Sequence, residues 1–270
     1  MVENLKYMKY LKEEEPITTS DGKSIKVFHL DIQDEPEVFE EWAKKFRRNY
    51  CSDYELEKMA VAIKISPSQY LKDYKLPSDD SRIGRATMSG DFGEILVSDY
   101  LQYIEEYNVP RTRYDRKVNK DTSTQGSDVL AYKNDSSNPM NDELMVMEVK
   151  TSASMNRTFD AKNKLQLAIE HSNKDFERFS TSVVASYLRL IETDIPQANI
   201  VKRFLNITDE PFKVIYGAVA IHSNHSYDIN VIKNVVAQNH RNQESLRLLV
   251  IHSFQLMDFI SQIYRKASEL

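Results

Sequence analysis

The sequence predicts an α/β (α+β) fold in which a mixed central sheet is flanked by helices. Two apolar runs, residues 144–147 and 214–221, have the unbroken large-residue character of strands that are covered on both faces. Longer segments, such as residues 35–49 and 82–107, carry apolar residues at helical spacing instead. Strands buried on both faces need layers on each side, so the helices are expected to sandwich the sheet.

Composition limits the classes of protein to which the chain can belong. It has 270 residues, 41% hydrophobic and 29% charged, which is ordinary for a globular protein of one large domain or a domain with an appendage. A single cysteine, Cys51, excludes an internal disulfide framework and a cysteine-built zinc site, and it suggests a reducing, cytoplasmic setting. We expect no signal peptide and no membrane-spanning helix. The net charge of −5 argues against a basic coat but leaves room for a local basic strip.

The first 80 residues are predicted to form an α/β appendage that serves as a packing or partner surface. A charged, helical lead-in is expected at residues 6–15, and the alternation in residues 24–32 predicts a strand. Pro36 begins a helix over residues 35–49 whose acidic start and basic end suit the helix dipole. Two short helices are expected at residues 52–60 and 66–74.

Residues 81–270 are predicted to form the main domain. A helix over residues 82–107 is interrupted by Gly90 and Gly93, and glycines in a helix favour the close approach of another backbone or a ligand. A strand that begins at Asp128 and a strand over residues 143–152 most simply form a hairpin. The remaining predictions are helices over residues 160–177, 179–191 and 200–205, a strand over 214–223, and a closing helix over 244–267, central to the core or part of an interface.

Two further patterns have competing interpretations. Residues 111–120 contain five basic side chains, which form either a solvated edge strand or a strip that contacts nucleic-acid phosphates: Arg111, Arg113, Arg116, Lys117 and Lys120. His222 and His225 have a possible metal-ligand spacing without a third ligand nearby, a pattern more typical of structural or surface histidines.

The chemistry is predicted at the end of the strand over residues 143–152. Glu148 and Lys150 are two residues apart, so they share one face of that strand. The hairpin brings Asp128 near Glu148, and Glu94 follows Gly93 on the preceding helix. Three carboxylates at one edge of a sheet suit Mg²⁺, which favours oxygen ligands and acidifies its bound water. A neighbouring lysine can hold the attacking water and stabilise developing negative charge, so the set suits phosphodiester hydrolysis.

These motifs, in this order, resemble the PD-(D/E)xK nuclease superfamily, although Asp128 follows Gly126 and Ser127 rather than a proline. More narrowly, residues 90–96 around Glu94, Gly126-Ser-Asp128-Val, Glu148-Val-Lys150 and the helical segment 171–176 resemble the nuclease subunit of Hachiman-type anti-phage defence systems. The resemblance implies a restriction-endonuclease-like sheet and a metal-dependent DNA nuclease that works with a helicase subunit and is restrained until DNA is sensed. It also implies that Glu94, Asp128 and Glu148 bind Mg²⁺, or Mn²⁺ in its place, and that Lys150 is the catalytic lysine.

Two other functions remain open at this point. The same fold could serve as a catalytically inactive scaffold or sensor subunit, with which the acidic net charge and the apolar segment 244–267 are compatible. It could also be a sequence-specific restriction endonuclease, with a recognition module within the first 80 residues.

Overall fold

A computed structural model describes residues 5–153 and 164–270 and contains a six-stranded mixed sheet with helices on both faces, as predicted. The strand order is β1-β2-β6-β5-β4-β3; β2, β6, β5 and β4 are parallel, and β1 and β3 pair antiparallel at the two ends. The strands are β1 Leu11–Thr18, β2 Ser24–Leu30, β3 Val129–Lys133, β4 Glu143–Ser152, β5 Lys213–Ser223 and β6 Arg247–Ser253.

Helices fill the connections between the strands. They are α1 Pro36–Arg48, α2 Asp53–Ile63, α3 Pro67–Tyr70, α4 Arg82–Tyr103, α5 Lys164–Ser172, α6 Asp175–Thr193, α7 Ile195–Lys202, α8 Ile229–Lys233 and α9 Leu256–Glu269. A π-helical turn at Leu71–Lys75 continues α3, and 3-10 turns lie at Lys6–Tyr10 and Pro139–Asn141. None of the helices in the two described ranges combines the length and the hydropathy that a bilayer crossing needs.

The sheet separates two hydrophobic cores. Helices α1, α4 and α9 cover one face, where Trp42 and Phe259 lie with their ring centroids 4.8 Å apart. Helices α5, α6 and α7 cover the other face. Strand β4 contributes Met145 and Met147 to the first core and Leu144 to the second. Its continuous apolar run therefore reflects burial on both faces.

Two predicted helices are wrong in part, because strands occupy some of their positions. The lead-in predicted at residues 6–15 is a short 3-10 turn followed by β1, whose charged side chains are exposed on an end strand. End strands commonly carry charges that discourage pairing with other chains. The closing helix predicted at residues 244–267 is β6 followed by α9, separated at Gln255, whose φ is 45°. A short run that is apolar at every position cannot be assigned to helix or strand by its period.

Two other predictions need adjustment. Residues 111–120 form bends and turns rather than an edge strand, and the neighbouring pairing is a single bridge between Asn108 and Tyr132. The predicted helix over residues 160–177 lies partly outside the described residues, and its remainder divides into α5 and the start of α6. The helices predicted at residues 35–49 and 52–60 and the strand at 214–223 are confirmed within a few residues.

The first 80 residues contribute to the same sheet as the rest of the chain. Strand β2 pairs in parallel with β6, and α1 packs against α9. The division near residue 80 stays a prediction about independent folding, which limited proteolysis can test.

The glycines of α4 allow a matched test of helix–sheet packing. A Cβ atom on Gly93 would lie 2.1 Å from the Thr151 Oγ1 atom of β4, whereas one on Gly90 would meet nothing within 4 Å. Gly93→Ala is expected to lower the free energy of unfolding by about 1–3 kcal/mol through overpacking. Gly90→Ala is expected to raise it by about 0.5–1 kcal/mol, because alanine favours the helix. Urea unfolding of both variants measures this, and equal stabilities would contradict the close approach.

His240 makes the stability depend on pH. The ring is buried, its Nδ1 accepts the Asn242 N–H at 3.1 Å, and its Nε2 therefore donates to Ser172 Oγ at 2.7 Å. Burial lowers the pKa of His240 below 6.5. As the pH falls, the imidazole is therefore protonated at a higher pH in the unfolded chain than in the folded chain. This contribution to stability is fully present above about pH 6.5 and is lost as the pH falls from there through the folded-state pKa.

We therefore expect His240→Gln to flatten the fall in stability between about pH 7 and about pH 5, by up to about 1.4 kcal/mol per pH unit. Urea midpoints across this range measure the effect, with the exposed His225→Gln as the control. Parallel pH profiles for wild type and His240→Gln would contradict the assignment.

Candidate functional site

The β3–β4 hairpin brings Asp128 beside Glu148 and Lys150. Val129 pairs with Met147, so Asp128, the residue before Val129, lies level with Glu148 near the C-terminal end of β4. Its Oδ2 atom accepts a hydrogen bond at 2.9 Å from the backbone N–H of Val149, the residue between Glu148 and Lys150. The predicted hairpin is confirmed, and the Asp128 carboxylate is hydrogen-bonded within the Glu-x-Lys triplet.

Glu148 is the most buried of the predicted acids, with 2% of its surface exposed. Lys150 Nζ donates to its Oε1 atom, and Arg178 Nη2 donates to its Oε2 atom at 2.6 Å. His171 Nδ1 lies 3.4 Å from Oε1. Burial raises the pKa of Glu148, the charge of Asp128 raises it further, and the Lys150 ammonium acts in the opposite direction. The two cationic partners favour the charged form of the carboxylate and hold it at a defined place, as a ligand or a catalytic group requires.

Glu94 approaches this group from α4. Arg113 Nε and the Tyr114 hydroxyl both donate to its Oε2 atom, each at 2.6 Å. The same guanidinium donates through Nη2 to Asp128 Oδ1 at 3.1 Å, so Arg113 bridges two of the predicted acids. Burial raises the pKa of Glu94 to about 8, an effect that Asp128 adds to and Arg113 opposes.

Helix α6 supplies two further polar groups that sequence reasoning did not identify, Asp175 and Arg178. Asp175 is fully buried and accepts hydrogen bonds from Ser127 Oγ at 2.8 Å and from Arg178 Nε at 2.7 Å. Because Arg178 also donates to Glu148, one chain of hydrogen bonds connects the residue before Asp128 with Glu148. In the sequence, the pairing is indicated by the three-residue spacing of Asp175 and Arg178. The same spacing occurs on helices whose charged side chains face solvent, so it does not identify a site.

The predicted basic strip does not face solvent as one surface. Three of its cations are turned inward because acids of α4 pair with them: Arg111 with Asp99, Arg113 with Glu94, and Lys117 with Asp91. Arg116 is exposed and pairs with Glu192, while Lys120 donates to the backbone carbonyl of Lys72. Contact of Arg116 and Lys120 with nucleic acid stays a prediction.

A cavity of about 470 Å³ opens beside Asp128. The loop around Arg113 forms one side and α6 forms the other, with polar residues such as Gln125, Ser182 and Arg189 in its lining. This volume is in the range of small-molecule sites.

The histidine pair is structural. His222 is buried at the end of β5, with its Nδ1 atom 3.2 Å from Ser226 Oγ, whereas His225 is exposed. The two side chains therefore occupy different environments, in agreement with the structural interpretation of the motif.

The carboxylates of the site are chemically suited to binding a divalent ion. Within residues 5–153 and 164–270, no three His, Cys, Asp or Glu side chains form a ready metal-binding group. Mg²⁺ needs only one or two protein carboxylates, since water and substrate phosphate complete its coordination. Asp128 and Glu148 provide two such carboxylates close enough for the charge of one to raise the pKa of the other, and Glu94 adjoins Asp128 through Arg113. The cofactor and the roles of these residues stay predictions.

Comparison with known proteins assigns the chain to a family. No curated protein matches the chain. A family model, HamA, matches residues 6–267, which is nearly the whole sequence and includes every residue of the site. The chain therefore belongs to the HamA family, the nuclease-like subunit of the Hachiman defence system.

Proposed function

We propose that the protein is a metal-dependent nuclease that hydrolyses DNA phosphodiester bonds, as the effector subunit of an anti-phage complex that includes a helicase. The observation that carries the proposal is the hydrogen bond from the Val149 N–H to the Asp128 carboxylate, because it holds Asp128 against the residue between Glu148 and Lys150. Membership of the HamA family supports the connection to defence.

Each residue has a distinct role in this proposal. Asp128 and Glu148 would hold Mg²⁺, or Mn²⁺ in its place, and Glu94 would complete the acidic set. The bound ion would supply an acidified water and neutralise charge on the phosphate. Lys150 is about a quarter exposed and hydrogen-bonds Glu148, so its ammonium can orient water at the rim and stabilise negative charge that develops on the phosphate.

Arg178 and Asp175 are positioning residues in the same proposal. Arg178 donates to Glu148 and to Asp175 with two different nitrogen atoms, so the planar guanidinium restricts the rotation of the Glu148 carboxylate. This contact leaves the Glu148 position defined before any ligand binds, which lowers the cost of ordering the site.

A cleavage assay tests the proposal. Supercoiled plasmid, linear duplex DNA, single-stranded DNA and RNA would each be incubated with the chain, alone and with the helicase subunit of its own defence system, in Mg²⁺ and then with a chelator. We expect Mg²⁺-dependent degradation of DNA without sequence preference. Cleavage at one fixed sequence would support a restriction endonuclease. An absence of cleavage under every condition would support a scaffold or sensor subunit.

The partner has a separate test. Affinity purification of the chain from cells that express the complete defence system should recover the helicase in a defined ratio. Recovery of the chain alone, at native expression levels and low salt, would contradict the proposed complex while leaving the nuclease proposal intact.

A further inference from the structure

A ladder of ion pairs joins α4 to the loop that precedes β3. The acids Asp91, Glu94 and Asp99 follow one another along α4, and their partners follow in the reverse order along the loop: Lys117, Arg113 and Arg111. The loop therefore runs antiparallel to the helix. Lys117 and Asp91 are almost completely buried, so this end of the ladder is a fixed part of the core.

The central member of the ladder, Arg113, contacts the proposed active site. Its guanidinium donates to Glu94 Oε2 at 2.6 Å and to Asp128 Oδ1 at 3.1 Å. It also donates to the backbone carbonyls of Ser127 at 2.5 Å and Thr124 at 3.3 Å. Only 16% of the side chain is exposed. A permanently charged group thus lies between two carboxylates of the predicted metal site, and each hydrogen bond described for it goes to an oxygen atom.

We propose that Arg113 is an internal counter-cation that competes with the divalent ion for Glu94 and Asp128. This inference rests on the proposed function. The Arg113 guanidinium favours the charged form of Glu94, which burial and the neighbouring Asp128 oppose, and it also pairs with Asp128 itself. A guanidinium and a metal ion cannot both take the same carboxylate lone pairs, so the release of Arg113 and the binding of the ion are coupled.

The surroundings of Arg113 allow its side chain to move without unfolding the loop. The ion pairs of Arg111 and Lys117 hold the loop on α4 on either side of it. Arg113 also lines the cavity of about 470 Å³ beside Asp128, which offers space for a displaced guanidinium. Displacement of Arg113 by the ion would therefore need only a side-chain rotation.

Metal binding to the full chain tests the inference. Isothermal titration with Mn²⁺, without DNA, would compare wild type, Arg113→Gln, Arg113→Lys and Arg116→Gln. Arg113→Gln is expected to bind at least about tenfold more tightly than wild type, because a competing charge is removed. The Mn²⁺ affinity of Arg113→Lys should lie between those of wild type and Arg113→Gln, since an ammonium keeps the charge but cannot make the paired hydrogen bonds of a guanidinium. Arg116→Gln removes the same charge from the same loop at an exposed position and should match wild type.

A measurement on the wild type keeps the inference testable if Arg113→Gln does not fold. In the NMR spectrum of the arginine Nε–H groups, saturating Mg²⁺ should shift the Arg113 resonance and accelerate its exchange with solvent, while the Arg111 resonance stays in place. Bound metal with an unchanged Arg113 resonance would overturn the inference, as would an Arg113→Gln affinity no higher than that of wild type.

The two proposals fail in different ways. If wild type cuts DNA with Mg²⁺ and Arg113→Gln binds Mn²⁺ no more tightly, only the counter-cation role is overturned. If neither protein binds Mn²⁺ and neither cuts, the nuclease proposal and the counter-cation role are both overturned.

Discussion

Glu148→Gln is expected to reduce the rate of Mg²⁺-dependent DNA cleavage by about 100- to 1,000-fold, the range seen when one group that stabilises a transition state is removed. Glutamine preserves the volume of this buried side chain and an oxygen that can accept from Lys150, but it removes the negative charge. The loss would therefore report on charge at the site rather than on core packing. Initial rates of plasmid relaxation, with the helicase subunit present, measure it.

Two further variants define the specificity of this effect. Lys150→Met should show a loss of similar size, because it removes the proposed ammonium while Glu148 remains. Glu143→Gln is the matched control: it lies at the opposite end of β4, where its carboxylate accepts from the Tyr107 hydroxyl. Circular dichroism and thermal melts should show all three variants to be folded. Wild-type cleavage by either Glu148→Gln or Lys150→Met would defeat the assignment of the site.

Asp175→Ala is expected to lower the free energy of unfolding by about 1–3 kcal/mol, since it leaves buried donors without an acceptor. Asp175 is fully buried and accepts from Ser127 and Arg178. Its removal would strand the Ser127 hydroxyl and leave Arg178 attached to the site through Glu148. Urea unfolding measures the loss, and cleavage should fall as well, because the connection between the residue before Asp128 and Glu148 is broken.

The neighbouring Glu177 provides the control for this change. Its side chain is 79% exposed and lies 3.6 Å from Arg241, so the pair is solvent-screened. Glu177→Ala should change the free energy of unfolding by less than about 0.5 kcal/mol. Equal urea midpoints for Asp175→Ala and Glu177→Ala would show that the hydrogen bonds of Asp175 do not stabilise the fold.

The central part of the fold and the hairpin could be predicted from local patterns. Strand β4 has an apolar run on both faces that ends in a charged triplet, and β5 has a similar run. Few structures other than a buried strand fit a short segment with this pattern, and a polar loop between two strands favours a hairpin. For the same reason, the proximity of Asp128 to Glu148 follows from the sequence once the hairpin is accepted.

The incorrect predictions concern segments whose structure depends on distant partners. The segment now assigned to β6 is apolar at nearly every position, and it is a strand because β5 and β2 pair with it on either side. The composition of the basic loop also suits an edge strand, yet the loop forms bends and turns, and acids of α4 pair with three of its cations. A charge pattern does not reveal whether its partners are solvent, substrate or the protein itself.

By itself, the sequence determined the acidic and basic groups available for chemistry and the hairpin that carries Asp128, Glu148 and Lys150, because side-chain alternation and turn preferences act over a few residues. The tertiary structure alone decided how those groups are paired. Arg113 reaches Glu94 across 19 positions of the chain, and Arg178 reaches Glu148 across 30. Such pairs form because buried charges need partners, and which partner is within reach depends on how helices pack on the sheet.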